Sequence, residues 1–260
     1  MAVVTEIPEF AELYAAEDRH FWFRNRNRVI GNVVAGLTAG RAPGYRVLEV
    51  GCGNGNVLRV LEDVCKGAEV IGSELHEEGL ARARDRVKCR LQTADIYDLP
   101  FREPFDLIGM FDVLEHLPDD RRALENLRDA MTPDGSIVLT VPAHMKLWSY
   151  VDEVAGHFRR YSPTTLRAAL EGAGLKVQRL SQFMMPLVPL MWAGRRVAEW
   201  KKRLGLTGTA SAKDRALTEF RVSPALNAVM TFLLRGEHPV LARRRGLPVG
   251  TSLLAVATKA

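Results

Sequence analysis

The chain has 260 residues, 47% of them hydrophobic and 26% charged, with a formal net charge of +5. That mixture supports a sizeable buried core without metals or disulfides. Cys52, Cys65 and Cys89 form neither a CxxC pair nor a Cys/His cluster, which argues against a zinc site and for reduced thiols in a cytoplasmic protein, with no metal expected.

The opening MAVVTEIPEFAELYAAEDRH carries acids where a secretory signal needs a basic start and an apolar core. The longest apolar run, Phe183 to Ala193, contains Pro186 and Pro189 and is shorter than the ~20 residues of a membrane span. Basic residues gather at Arg24/Arg26/Arg28, Arg159/Arg160, Arg195/Arg196, Lys201 to Arg203 and Arg243 to Arg245. They read either as solvated helix faces or as contacts for phosphate, nucleic acid or anionic lipid.

In chain order, Arg46 to Val50 is a short apolar strand that stops at Gly51-Cys-Gly-Asn-Gly55, and Val57, Leu58 and Leu61 begin a helix that Gly67 closes. Ala68 to Ser73 is a second strand ending at Glu74, followed by an Arg-rich helix through Val87, which completes a βαβ unit. Cys89 to Gln92 is a weak third strand and Phe105 to Phe111 a stronger fourth. The next helix carries Ala123, Leu124, Leu127, Ala130 and Met131 at helical spacing. Pro133-Asp-Gly135 turns into a fifth strand, Ser136 to Val141. Ser162-Pro163 caps a helix closed by Gly174, a strand runs from Leu175 to Leu180, a long helical stretch covers roughly 186–234, and Thr251 to Ala257 is the last strand. Alternating strands and helices specify an α/β fold with a seven-stranded, mostly parallel, Rossmann-like sheet, an antiparallel C-terminal strand and helices on both faces. We read one domain: a helical cap over 1–42, a core over 45–141, and lid insertions at 142–161 and 183–248.

In such a sheet the ligand lies beyond the carboxyl ends of the strands, so the first strand's loop is the place to look. Gly51, Gly53 and Gly55 let backbone approach a ligand closely, but the dinucleotide pattern G-x-G-x-x-G fails at Asn56. Glu74, a carboxylate at the end of the second strand, suits the two hydroxyls of a ribose. Asp95 after the third strand, with Ile96 beside it, suits an adenine amino group and ring face.

Val47-Leu-Glu-Val-Gly-Cys-Gly-Asn-Gly55, then Glu74, Asp95 and Phe111-Asp-Val-Leu-Glu-His116, resemble in order the motifs of class I S-adenosylmethionine-dependent methyltransferases. The shared pattern covers 45–141. The resemblance implies S-adenosylmethionine as cofactor. Glu49, Gly51, Cys52, Gly53 and Gly55 then surround its methionine part, Glu74 and Leu75 its ribose, and Asp95 and Ile96 its adenine. Phe111 and Asp112 complete the set. His20-Phe-Trp-Phe-Arg-Asn-Arg26 resembles a segment ahead of the core in a bacterial subgroup of these enzymes. Trp22 could cover the methionine chain there and Arg24 pair with its carboxylate, or the helix packs its aromatics into the core.

Methyl transfer from a sulfonium chiefly needs alignment and exclusion of water. His116 is the first candidate for a general base, with a helix-packing role as the alternative; His144, His157 and Tyr161, in the dense polar and aromatic insertion from Ala143 to Tyr161, are further candidates. Met184, Met185, Leu187, Val188, Leu190, Met191 and Trp192 precede a basic tail. This combination suits a lid over an amphiphilic acceptor, such as a secondary metabolite, quinone or lipid-linked molecule, a peripheral membrane contact, or packing on the core or in a homodimer. The sequence leaves the acceptor atom open between oxygen, nitrogen and carbon. RNA methylation, suggested by the basic clusters, lacks the Asp/Asn-Pro-Pro-aromatic loop and the Pro-Cys nucleophile that such enzymes use. An inactive cofactor-binding scaffold ranks last, because nothing in the core is degenerate.

Overall fold

A computed structural model describes residues 17–204, 222–242 and 246–260. Residues 1–16 of the expected cap, 205–221 of the long helical stretch and the Arg243 to Arg245 cluster lie outside the described residues. So do the side chains at 195, 198, 199, 201 and 202.

The elements run α1 (Phe21–Thr38), β1 (Arg46–Val50), α2 (Leu58–Val64), β2 (Glu69–Glu74), α3 (Glu77–Ala83), β3 (Arg90–Thr93), β4 (Phe105–Phe111), α4 (Asp120–Asp129), β5 (Met131–Pro142), α5 (Tyr150–Val154), α6 (Pro163–Gly172), β6 (Leu175–Phe183), α7 (Leu187–Arg203), α8 (Pro224–Arg235), α9 (His238–Ala242) and β7 (Ser252–Lys259). One seven-stranded sheet has the order β3-β2-β1-β4-β5-β7-β6, with β7 antiparallel to both β5 and β6 and the other pairings parallel. The order reverses between β1 and β4, which opens a crevice at their carboxyl ends.

Alternation along each strand feeds two cores. Val47, Val70, Leu107, Val138 and Val256 face α1, α2, α8 and α9; Leu48, Ile71, Ile108, Ile137, Leu139 and Ala255 face α4 and α6. A side chain such as Leu48 or Ile108, fully buried, contributes about 1.5–3 kcal/mol relative to exposure. Two local readings needed correction. Met131 leaves the helix and begins β5, pairing with Phe105, and the Pro133–Gly135 turn sits inside β5 as an irregularity before Ser136 pairs with Leu107. β6 also extends three residues past Leu180, because antiparallel partners on β7 continue to Ser252.

Ser162 caps α6 reciprocally with Thr165, Pro163 opens it, and Gly174 follows at φ +76°, where its left-handed backbone closes the helix. The insertion after β5 is pinched at its base: Tyr161 N–H donates to the Pro142 carbonyl and His144 N–H to the Tyr161 carbonyl. The described part of the long helical stretch consists of α7 and α8, and the short α9 follows it. α8 is tied to the start of α1, since Asn227 accepts from Phe21 N–H at 2.7 Å and donates to the Arg19 carbonyl at 2.9 Å. No helix among the described residues is long and apolar enough to cross a membrane.

Candidate active site

The loop after β1 holds its shape through backbone conformations that only glycine adopts readily. Gly51, Gly53 and Gly55 all have positive φ, and a Cβ on Gly51 would stand 2.5 Å from the Val113 side chain. At Gly53 a Cβ would meet nothing within 4 Å, so this peptide faces open space. Glu74 braces the loop from β2: one carboxylate oxygen accepts Gly53 N–H at 2.9 Å, and the other accepts Leu75 N–H at 2.8 Å and His76 N–H at 3.1 Å. Three of its roughly four acceptor positions are thereby occupied, which leaves one lone pair for a ligand hydroxyl. Leu75, 54% exposed, offers a bare apolar surface beside it. Asp95 is exposed, with one oxygen accepting Tyr97 N–H at 2.8 Å, and Ile96 is buried behind it.

Glu49 lies on β1 with Gly72 on one side and Gly109 on the other in register; a Cβ on Gly72 would press on Leu58, Leu91 and Cys52, and one on Gly109 on Phe111. It is buried, and its Oε2 has no hydrogen-bond partner among the described residues. Burial pushes its carboxyl well above the ordinary range, Arg26 pulls it back, and Glu74 pushes it further up. Cys52 is buried beside these two acids; burial first, and then their charges, push its thiol up, so it stays protonated and inert.

The segment preceding the core lies over this loop. Arg24 is exposed on the far side of α1, whereas Arg26 is buried: its Nη1 is 2.8 Å from Asp112 and its Nη2 donates to Asn56 Oδ1 at 3.3 Å. The guanidinium also sits 5.0 Å from the Trp22 ring centroid and 5.3 Å from that of Phe23. Asn27 donates to the same Asn56 Oδ1 at 2.8 Å. Asp112 itself has φ +55°, strain held in place by this pair. Sequence reading missed Arg26, Asn27 and Asn56. The signal that could have found Arg26 is its i, i+4 spacing from Trp22, which places both on one helix face. Phe111, buried at the end of β4, fills the space above Gly109.

The acceptor-side candidates separate. His116 and His157 meet edge to face with centroids 4.6 Å apart. Burial of the imidazole among neighbouring atoms and then the adjacent His157 hold the His116 ring at about 4, although the residue as a whole is exposed. His157 Nδ1 lies 2.9 Å from Asp152 Oδ1, which Arg160 Nε also approaches at 2.6 Å. Burial alone would push the Asp152 carboxyl up; the bonds from His157 and Arg160 outweigh it and hold it at about 2. His144 is turned away, with its Nε2 at 2.6 Å from Gln182 Oε1. Tyr161 is buried and donates to Asp120 at 2.7 Å; burial and that hydrogen bond push its phenol up and keep it a donor.

A family model described as "Methyltransferase domain" matches residues 14–180, more than half the chain. The chain belongs to the methyltransferase-domain family. This methyltransferase is 28% identical over 165 residues, 62% of each chain, to a Mycolicibacterium smegmatis protein named "Probable S-adenosylmethionine-dependent methyltransferase". It is 30% identical over 128 residues to the ubiquinone biosynthesis O-methyltransferase of Idiomarina loihiensis, covering 46% of this chain and 52% of that protein. The match therefore spans about half to three fifths of these curated relatives. A Haemonchus contortus phosphoethanolamine N-methyltransferase 2 solved with S-adenosyl-L-methionine shares the fold at a TM-score of 0.55 and 17% identity, over 88% of this chain and 52% of that one. The class is the S-adenosylmethionine-dependent one, as the order of the sequence motifs implied, and S-adenosylmethionine is its cofactor.

Proposed function

We propose that this chain transfers the methyl group of S-adenosylmethionine to an oxygen, nitrogen or carbon of a small or amphiphilic acceptor. The observation that carries this reading is the buried Glu49 oxygen without a partner, next to a glycine loop braced by Glu74. A ligand with a cationic amino acid end and a ribose matches that acceptor-rich surface, because each unpaired carboxylate oxygen gains a donor or a positive charge. Bound there, the cofactor supplies a methyl group already activated as a sulfonium. Glu49 would hold the ammonium, Glu74 and Leu75 the ribose, and Asp95 and Ile96 the adenine. Arg26 would fix Asp112 at the crossing between cofactor and acceptor, with Trp22 excluding water.

In this reading residues 45–141 bind the cofactor, and 142–161 and 183–248 shape the acceptor side. α7 presents Leu190, Trp192, Val197 and Trp200 to solvent, which supports an acceptor with an apolar portion. The test is turnover. Labelled S-adenosylmethionine incubated with a panel of phenols, quinols, amines and lipid-linked hydroxyl compounds should release S-adenosylhomocysteine with at least one of them. Cofactor binding without turnover on any of them, or methylation of RNA with steep salt sensitivity, would contradict the proposal.

A further inference from the structure

Beyond β4 a second cluster stands outside the cofactor-binding set. Glu115 and His116 occupy a single 3-10 turn, Leu114–His116, just past Asp112, and His157 follows α5 in the insertion. Phe158 N–H donates to the Glu115 carbonyl at 2.8 Å, which ties the insertion to that turn. One carboxylate oxygen and two imidazole nitrogens, one from each of these residues, lie within 4.8 Å of one another. Glu115 is 1% exposed and its Oε2 has no partner among the described residues, a costly arrangement for a carboxylate unless a cation or proton joins it. Asp152 faces His157 Nδ1, which places the proton on that nitrogen and leaves Nε2 as a lone-pair donor. A carboxylate behind an imidazole is the arrangement that orients metal-bound histidines.

We propose that Glu115, His116 and His157 bind a first-row divalent cation, of which Zn2+ and Co2+ are the natural probes. Two imidazoles and one carboxylate are the donor set such ions prefer over Mg2+ or Ca2+. Bonds of about 2.0–2.2 Å would draw the three donors together by small side-chain rotations. His116 is exposed, which supplies an entry path, and three protein donors would leave at least one coordination position for water or an acceptor. An acceptor hydroxyl entering one of them would release its proton to solvent more readily, leaving the oxygen lone pair for attack. That role rests on the proposed methyltransferase function; the binding of the cation does not.

The experiment uses the full chain stripped with chelator, titrated with Zn2+ by calorimetry and with Co2+ by visible absorption. One cation per chain at micromolar affinity is expected, with Co2+ bands of a nitrogen and oxygen site. Affinity should fall at least about tenfold in Glu115→Gln, in His157→Ala and, through orientation of His157, in Asp152→Asn. Because Glu115 is buried, His157→Ala and circular dichroism of each variant guard against misfolding as the cause. No saturable binding of either ion at millimolar concentration, or equal affinity in all variants, would overturn the site. Loss of turnover in His116→Ala without any cation binding would also overturn it and assign the histidine pair to proton transfer. A parallel S-adenosylmethionine titration separates failure of the metal site from failure of the functional reading.

Discussion

The loop after β1 and the insertion after β5 both emerge at the carboxyl edge of the sheet, yet they are held by different means. The first is fixed by backbone: three glycines at positive φ, and a carboxylate from the next strand that accepts three N–H groups within a short span of sequence. The second is fixed by side chains that meet across long separations, such as Tyr161 on Asp120, Arg159 on the Pro118 carbonyl and His144 on Gln182. A surface built from backbone suits a constant ligand, whereas a network of side chains can be exchanged one residue at a time to fit different acceptors. Substitutions should therefore divide, with those around the first region changing cofactor affinity and those in the second changing turnover and acid stability.

The largest effect is expected at the residue that joins the two. Arg26→Ala leaves Asp112 without its partner and Glu49 without its nearby cation, while Glu115 keeps Arg160, and should cost about 3–5 kcal/mol in denaturant unfolding. Arg24→Ala, on the exposed side of the same helix, should stay within about 0.5 kcal/mol. Equal effects would erase the distinction between them. Next, Gly51→Ala drives a Cβ against Val113 at a φ of +70° and should weaken cofactor binding about a hundredfold by calorimetry.

In the second region, Asp152 is held at about 2 against an ordinary 3.8, so its contribution is fully present above the ordinary value and is lost as pH falls toward 2. Asp152→Asn should remove about 2 kcal/mol at pH 7 and much less near pH 2, read from urea midpoints across pH.

The smallest effect runs the other way. Glu49 titrates well above 4.5, so the folded chain keeps a proton that the unfolded chain has released, and stability falls as pH rises above that value. Relative to the wild type, Glu49→Gln should gain stability as pH is raised from 5 to 8. Wild-type affinity for S-adenosylmethionine should rise with pH over the same range, and that of Glu49→Gln should not. A pH-independent difference between the two proteins would exclude Glu49 as a titrating contact.

The same contrast explains how far the sequence could be read. Short apolar runs placed the strands, because the sheet is buried on both faces and its two cores draw on alternate residues of each strand. The glycine loop and Glu74 were visible because their spacing is local. Arg24 was preferred to Arg26 because helix phase is set by tertiary packing, and two arginines two positions apart face opposite sides. Glu115 meeting His157 had no local trace, since folding of the insertion back over the β4 turn brings them together. The Pro133–Gly135 turn was read as a strand boundary because its signal is the same whether the chain reverses there or only bulges.

The carboxyl edge of β1 and β2 is the proposed site for S-adenosylmethionine. Calorimetric titration of S-adenosylmethionine and S-adenosylhomocysteine into the wild-type chain and Glu74→Ala, with NAD as control, tests it most directly. One micromolar site is expected for both ligands, at least tenfold weaker in the variant, with no uptake of NAD. Absence of binding to either ligand by a folded wild-type chain, or unchanged affinity in Glu74→Ala, would contradict it.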